Sequence, residues 1–172
     1  MNPVPIPLPP HLAPRIAADQ AAHLIGIGNP ALLAMPLLGF IASRLCPGHV
    51  FIETLERVPQ WAKAGRVLVS GFHSPLEQQV LHSLLRRQGR AVKVLARHIP
   101  PGRDYRPAAL EREPLTQGRL LILSASPATE TRTTRASALA RNGLVLALAH
   151  EHWEPRIAPE SPLVAPLADD VE

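Results

Sequence analysis

Four short, almost wholly apolar runs alternate with helical patterns along this chain, and no other feature constrains its fold as strongly. The runs cover residues 37–42, 66–70, 91–96 and 119–124. Near-continuous apolar runs of this length are typical of parallel strands that are buried on both faces. Strands that alternate with helices form a mostly parallel sheet covered on each side. The sequence therefore predicts an α/β, Rossmann-like three-layer fold.

The segment after the second run carries the clearest helix signals. Ser74, Pro75 and Glu77 form a capping box with proline at the first helical position, and a stop signal follows at Gly89. Apolar spacing also predicts helices over residues 50–64 and 132–150. A short last strand is expected near residues 153–158.

Proline divides the chain into three predicted parts. The 20 prolines are dense near both ends, where they favour extended geometry and cannot donate to a sheet. Residues 1–24 are therefore predicted to be an N-terminal arm over the surface, residues 25–158 one folded domain, and residues 159–172 a Pro-rich acidic tail.

The composition indicates the cellular location of the protein and the kind of partner that it binds. The longest apolar runs fall short of the roughly 20 residues that cross a bilayer, so no membrane span is expected. A single cysteine, Cys46, excludes an intrachain disulfide and favours a reducing compartment, and we expect a cytoplasmic protein. The net charge of +4 arises mostly from arginine, which suits phosphate partners. Apolar faces of small domains often pair, so a homodimer is expected.

The carboxyl ends of parallel strands meet at one edge of a sheet, where ligands bind beside helix N-termini. Small hydroxyl residues, a glycine and arginines follow the four predicted strands, and this composition suits phosphate more than an apolar ligand. The candidate phosphate-binding or nucleotide-binding residues are Ser43, Arg44, Ser70, Gly71, His73, Ser74, Arg97 and Ser124.

Several of these residues also have structural explanations. Ser74 serves as a helix cap and Gly71 as a turn residue, whereas Arg44 fits either a phosphate or a structural carboxylate. No histidine or cysteine spacing indicates a metal, and no catalytic residue or cofactor is predicted. The fragment Gly26-Ile27-Gly28 precedes the first predicted strand and lacks a third glycine, so NAD is not indicated.

Several ordered motifs resemble the DprA family, within the wider SLOG superfamily of Rossmann-like domains, over residues 25–158. The segment Phe40-Ile41-Ala42-Ser43-Arg44 is similar to the motif iVGSR, and the segment 69–77 stands in the place of vSGGARGID. Residues 28–36 resemble the G-N-x-x-L-L lead-in, residues 105–121 the YP…G.liSE.P segment, and Arg141-Asn142 the start of RNRiIA.

The resemblance implies that Arg44 contacts nucleic-acid phosphates and that Ser43, Ser70 and Gly71 shape the adjoining pocket. Ala42, Phe72 and Pro75 replace glycines of the family motifs, and we expect this sequence to lack the family's winged-helix region. We expect a non-catalytic module that binds a nucleotide or single-stranded nucleic acid. One alternative is a divergent nucleotide N-glycosidase that uses Glu77 as its acid-base group. Another is an interaction protein with a decayed pocket.

Overall fold

A computed structural model describes residues 2–100 and 105–153 of the chain. Within these residues, seven strands form one sheet in the order β1-β2-β6-β5-β4-β3-β7. The strands from β3 to β6 and the edge strand β7 run parallel, while β1 and β2 are antiparallel to their neighbours. The bounds are β1 Val4–Pro5, β2 Ile25–Gly28, β3 Leu37–Phe40, β4 Val67–Ser70, β5 Arg90–Leu95, β6 Leu120–Ser124 and β7 Glu151–Trp153.

Helices cover both faces of this sheet. The described helices are α1 Ala18–Ala22, α2 Gly48–Lys63, α3 Pro75–Arg86, α4 Ala109–Thr116 and α5 Arg135–Leu148, with 3-10 turns at Ala13–Arg15 and Pro30–Ala34. One core lies under α2, α3 and α4, and a second lies between the opposite face and α5 with the N-terminal turns. The three-layer, mostly parallel α/β fold that the sequence predicts is therefore confirmed. None of these helices is long and apolar enough to span a bilayer.

The four predicted parallel strands correspond to β3, β4, β5 and β6. Every residue of β3, β4 and β6 is buried, which explains why each is a continuous apolar run. The three predicted helices correspond to α2, α3 and α5. Because β3 to β6 are parallel neighbours, the loops that follow them all leave the sheet at the same edge.

The N-terminal half of the chain differs from the sequence predictions in two respects. The Gly26-Ile27-Gly28 fragment does not precede the first strand; it forms β2, which pairs antiparallel with β6. The Pro-rich segment 1–24 adds β1 to the sheet edge and buries Ile6, Leu12 and Ile16 in the second core. Pro5 is tolerated there because an edge strand has one unpaired side. The tail 159–172 and most of the predicted last strand lie outside the described residues.

Candidate functional site

A cleft of about 560 Å³ opens at the carboxyl edge of the sheet. Its walls are the loop after β3, the loop after β4 and the N-terminal half of α5. The polar and charged residues that line it are Ser43, Arg44, His73, Ser74, Glu77, Thr133, Thr134, Arg135, Arg141 and Asn142. The cleft therefore lies where ligands bind in open parallel sheets.

Glu77 ties the two loops of the cleft together. Its Oε1 accepts a hydrogen bond from the backbone N–H of Ala42 at 2.9 Å, and its Oε2 accepts from the N–H groups of His73 and Ser74 at 2.7 and 3.2 Å. The Ser74 hydroxyl in turn accepts from the Glu77 N–H, which completes the predicted capping box. Only 3% of Glu77 is exposed, so its carboxylate interacts with these loop N–H groups and stabilises the two loops.

Arg141 forms part of the cleft wall as a half-buried cation. Its guanidinium lies against the backbone of Gly71, where an added Cβ would come within 2.5 Å of Cζ and Nη1. Its Nε and Nη2 donate to Oδ1 of Asn142 at 3.1 and 2.8 Å. No carboxylate in the described part of the chain forms an ion pair with it. Burial lowers the pKa of Arg141, and the nearby charge of Glu77 opposes that shift. An anion in the cleft would compensate for this desolvated charge.

Arg44 and Arg135 add two exposed cations to the same cleft. Neither is paired with a carboxylate of residues 2–100 or 105–153. The helices α3 and α5 both begin at the cleft, where first-turn N–H groups lack intrahelical partners and the helix dipole favours negative charge. With Glu77 occupied by backbone donors, the cleft is electropositive.

The eight predicted site residues do not share one depression. Ser43, Arg44, His73 and Ser74 line the cleft, and Gly71 contacts Arg141 beside it. Ser70 and Ser124 are fully buried at the ends of β4 and β6, where their hydroxyls accept from the N–H groups of Phe72 and Ser126. Ser124 also donates to the carbonyl of Arg97, and Arg97 does not line the cleft. Both hydroxyls therefore stabilise the loops that follow β4 and β6.

The cations of α5 were not among the predicted site residues. Arg135 and Arg141 lie on a helix far along the chain from the loops that they face. The resemblance of Arg141-Asn142 to the family motif RNRiIA was the one signal that could have selected Arg141. No comparable signal exists for Arg135.

Metal binding and thiol chemistry have little support among the described residues. The described residues contain no cluster of histidine, cysteine or carboxylate side chains that could hold a metal ion. Cys46 is partly buried, and burial raises the pKa of its thiol, contrary to the lowering that His49 and the nearby helix start could cause. A raised pKa disfavours the thiolate form of Cys46.

No protein-family model and no curated protein matches the chain. Solved structures do match. DNA processing protein A from Streptococcus pneumoniae superposes with a TM-score of 0.62 and 21% identity over 86% of this chain and 53% of that one. DNA processing protein A from Helicobacter pylori superposes with a TM-score of 0.62 and 24% identity over 80% of this chain and 62% of that one. The chain has the DprA fold. It spans about half to three fifths of the length of these DprA chains.

One residue beside the cleft has an unusual backbone conformation. Phe72, which stands where the vSGGARGID motif has its second glycine, has a φ of 48°. Non-glycine residues avoid this left-handed region because Cβ approaches the following carbonyl, at a cost of roughly 1–2 kcal/mol. The Phe72 ring is buried in the core under α3, and this packing offsets the strain.

Proposed function

We propose that the cleft binds the phosphates of single-stranded nucleic acid, or of a nucleotide, without catalysing a reaction on it. The position of Arg141 carries this proposal. A half-buried guanidinium without a carboxylate partner among the described residues is costly to keep unless it meets an anion. A guanidinium can donate two parallel hydrogen bonds to one phosphate.

The other walls of the cleft suit a nucleic-acid strand. Arg44 and Arg135 supply further cations for successive phosphates. Leu45 and Leu139, which are 85% and 45% exposed, offer apolar contact to sugars and bases. Among the described residues, no aromatic side chain other than His73 lines the cleft, so base stacking should contribute little and the affinity should depend strongly on salt.

The solved relatives support the same chemistry. The Helicobacter pylori protein is described as binding single-stranded DNA in a distinctive mode. Its fold extends over most of this chain, and the motif residues Ser43 and Arg44 lie in the cleft. The proposal concerns this domain alone, because the DprA chains are longer.

The environment of Glu77 argues against the N-glycosidase alternative. An acid-base group must exchange a proton with the substrate, whereas both Glu77 oxygens accept hydrogen bonds from backbone N–H groups. Incubation with nucleoside monophosphates should release no nucleobase. Release that is lost in Glu77→Gln would overturn the non-catalytic proposal.

Fluorescence anisotropy with a labelled oligothymidylate tests binding. Arg141→Met should weaken binding by about 1.5–3 kcal/mol, the worth of a charge-assisted hydrogen bond, without lowering the melting temperature. Arg90→Met is the matched control, since Arg90 is exposed at the opposite edge of the sheet and its loss should leave the affinity unchanged. Equal losses from both variants would indicate nonspecific attraction. The absence of any binding would favour an interaction protein with a decayed pocket.

Two expectations accompany the proposal. A homodimer remains a prediction, which light scattering at micromolar concentration tests. A cytoplasmic location remains the expectation from the single cysteine, and fractionation of cells that express the protein checks it.

A further inference from the structure

A second, smaller cavity of about 190 Å³ lies at the carboxyl ends of β5 and β6. Arg141 lines both this cavity and the cleft. A phosphate held by the Arg141 guanidinium would therefore place the rest of its nucleotide within reach of the second cavity. The volume is below the roughly 300 Å³ at which pockets for drug-sized ligands begin, so it suits one small ring system.

Three polar side chains of this cavity, those of Ser126, Asp19 and Glu130, have no hydrogen-bond partner among the described residues. Ser126 is 9% exposed, and its hydroxyl makes no hydrogen bond to residues 2–100 or 105–153. The carboxylates of Asp19 and Glu130 also line the cavity, and no described side chain or backbone N–H donates to them. An ionised carboxylate only accepts hydrogen bonds, so the cavity suits a ligand that donates.

Glu130 is the better placed of the two carboxylates. Its backbone N–H donates to the Pro127 carbonyl at 2.9 Å, and its carbonyl accepts from the N–H of His98 at 2.8 Å. These bonds fix Glu130 between the loops that follow β5 and β6. Glu130 is half-buried, whereas Asp19 is exposed on the short helix α1. A fixed backbone limits where the Glu130 carboxylate can lie, and a carboxylate confined in this way can discriminate between donor patterns.

We propose that this cavity is a nucleobase subsite that selects guanine, an inference that rests on the proposed binding of phosphates in the cleft. Guanine presents two adjacent donors, its ring N1–H and its exocyclic amine, which match the two oxygens of one carboxylate. Thymine and uracil present one N–H between two carbonyl oxygens, which a carboxylate repels. Adenine and cytosine have the amine without an adjacent ring N–H and should rank between them.

The test uses short labelled thymidine oligomers that carry one central guanine, hypoxanthine or thymine. Hypoxanthine differs from guanine only by the missing exocyclic amine. The guanine oligomer should bind about tenfold more tightly than the thymine oligomer, with hypoxanthine between them. Glu130→Gln should remove most of this preference while the affinity for the all-thymine oligomer is retained. Glu53→Gln, at an exposed position on α2, is the matched control and should keep the preference.

The outcomes separate the subsite from the cleft. Equal affinity for the three oligomers, with binding still sensitive to Arg141→Met, would overturn the subsite and leave the phosphate-binding proposal standing. A guanine preference that survives both Glu130→Gln and Asp19→Asn would overturn the assignment to this cavity. Failure of every oligomer to bind would overturn both proposals. Melting temperatures of the variants verify that each is folded.

Discussion

The guanidinium of Arg141 packs against the backbone of Gly71, with no room for a side chain between them. Gly71 does not need the left-handed backbone region, so its conformation is open to alanine. The methyl group of Gly71→Ala would instead displace the flexible end of Arg141. The contact therefore links a residue of the β4 loop to the cation of α5.

We expect Gly71→Ala to weaken oligonucleotide binding in the same direction as Arg141→Met. The melting temperature should change little, because the guanidinium can move into the open cleft without disturbing the core. In the double variant the two losses should not add, since one change displaces and the other removes the same guanidinium. Additive losses, measured by anisotropy titration, would show that Gly71 acts independently of Arg141.

Arg44→Ala should reduce binding and flatten its dependence on salt. Each phosphate contact to a single strand contributes about 0.7 to the slope of log affinity against log salt, and the variant should lose about that much. The melting temperature should stay unchanged because Arg44 is exposed and makes no ion pair with the described residues. A lower melting temperature with unchanged affinity would instead support a structural carboxylate partner.

Glu77→Ala should destabilise the fold by at least about 2 kcal/mol. The change leaves the buried N–H groups of Ala42 and Ser74, and the partly buried N–H of His73, without their acceptor, and a buried unpaired donor costs roughly 1–3 kcal/mol. Glu77→Gln retains one acceptor oxygen and should be less harmful. Urea denaturation of both variants measures the difference, and wild-type stability of Glu77→Ala would contradict this role.

Gln88→Gly should stabilise the protein by about 0.5–1 kcal/mol. Gln88 follows the end of α3 with a φ of 59°, and the N–H groups of Gln88 and Gly89 bond back to the carbonyls of Leu85 and Leu84. Glycine is preferred at this position of a helix terminus because it has no Cβ to strain. Gln88→Ala is the matched control: it keeps the strain and should give no such gain in thermal melting.

Acidification should weaken the fold through His150. The Nδ1 of His150 accepts a hydrogen bond from the Leu37 N–H at 3.1 Å, which only the unprotonated nitrogen can do. Burial, followed by the charges of His11 and Arg15, lowers the pKa of His150. The unfolded chain then binds the proton more readily, so stability is full above about pH 6.5 and falls as the pH drops below it. His150→Asn, which keeps an acceptor, should show a smaller fall in melting temperature between neutral and acidic pH.

The sequence predicts the parallel strands well and the antiparallel edge poorly. Buried parallel strands are almost wholly apolar, so β3 to β6 can be recognised locally. The strand β2 has the sequence Ile-Gly-Ile-Gly, which is unfavourable for strands by propensity. Gly26 is explained by the neighbouring strand, because a Cβ there would lie 2.8 Å from the carbonyl oxygen of Ile122. That contact joins positions distant in sequence.

The same limit applies to the site. The rule that ligands lie at the carboxyl ends of parallel strands places Arg44 and His73 at the correct edge. It does not say which side chains turn inward, and Ser70 and Ser124 do so because loop N–H groups need acceptors. The position of Arg141 depends on how α5 crosses the sheet edge. Tertiary packing decides that crossing.

The pairing of β2 with β6 also governs the order in which this chain can fold. The strands β3, β4, β5 and β6 pair with neighbours that follow directly in sequence, so they can assemble as synthesis proceeds. Residues 25–28 must wait for residues 121–124, and β3 must wait for β7 at residues 151–153. Such nonlocal closure is slow because the chain entropy is lost before the contacts form. Until then the apolar N-terminal segment and both sheet edges are open to other chains, and this interval is when a growing chain is most prone to aggregate.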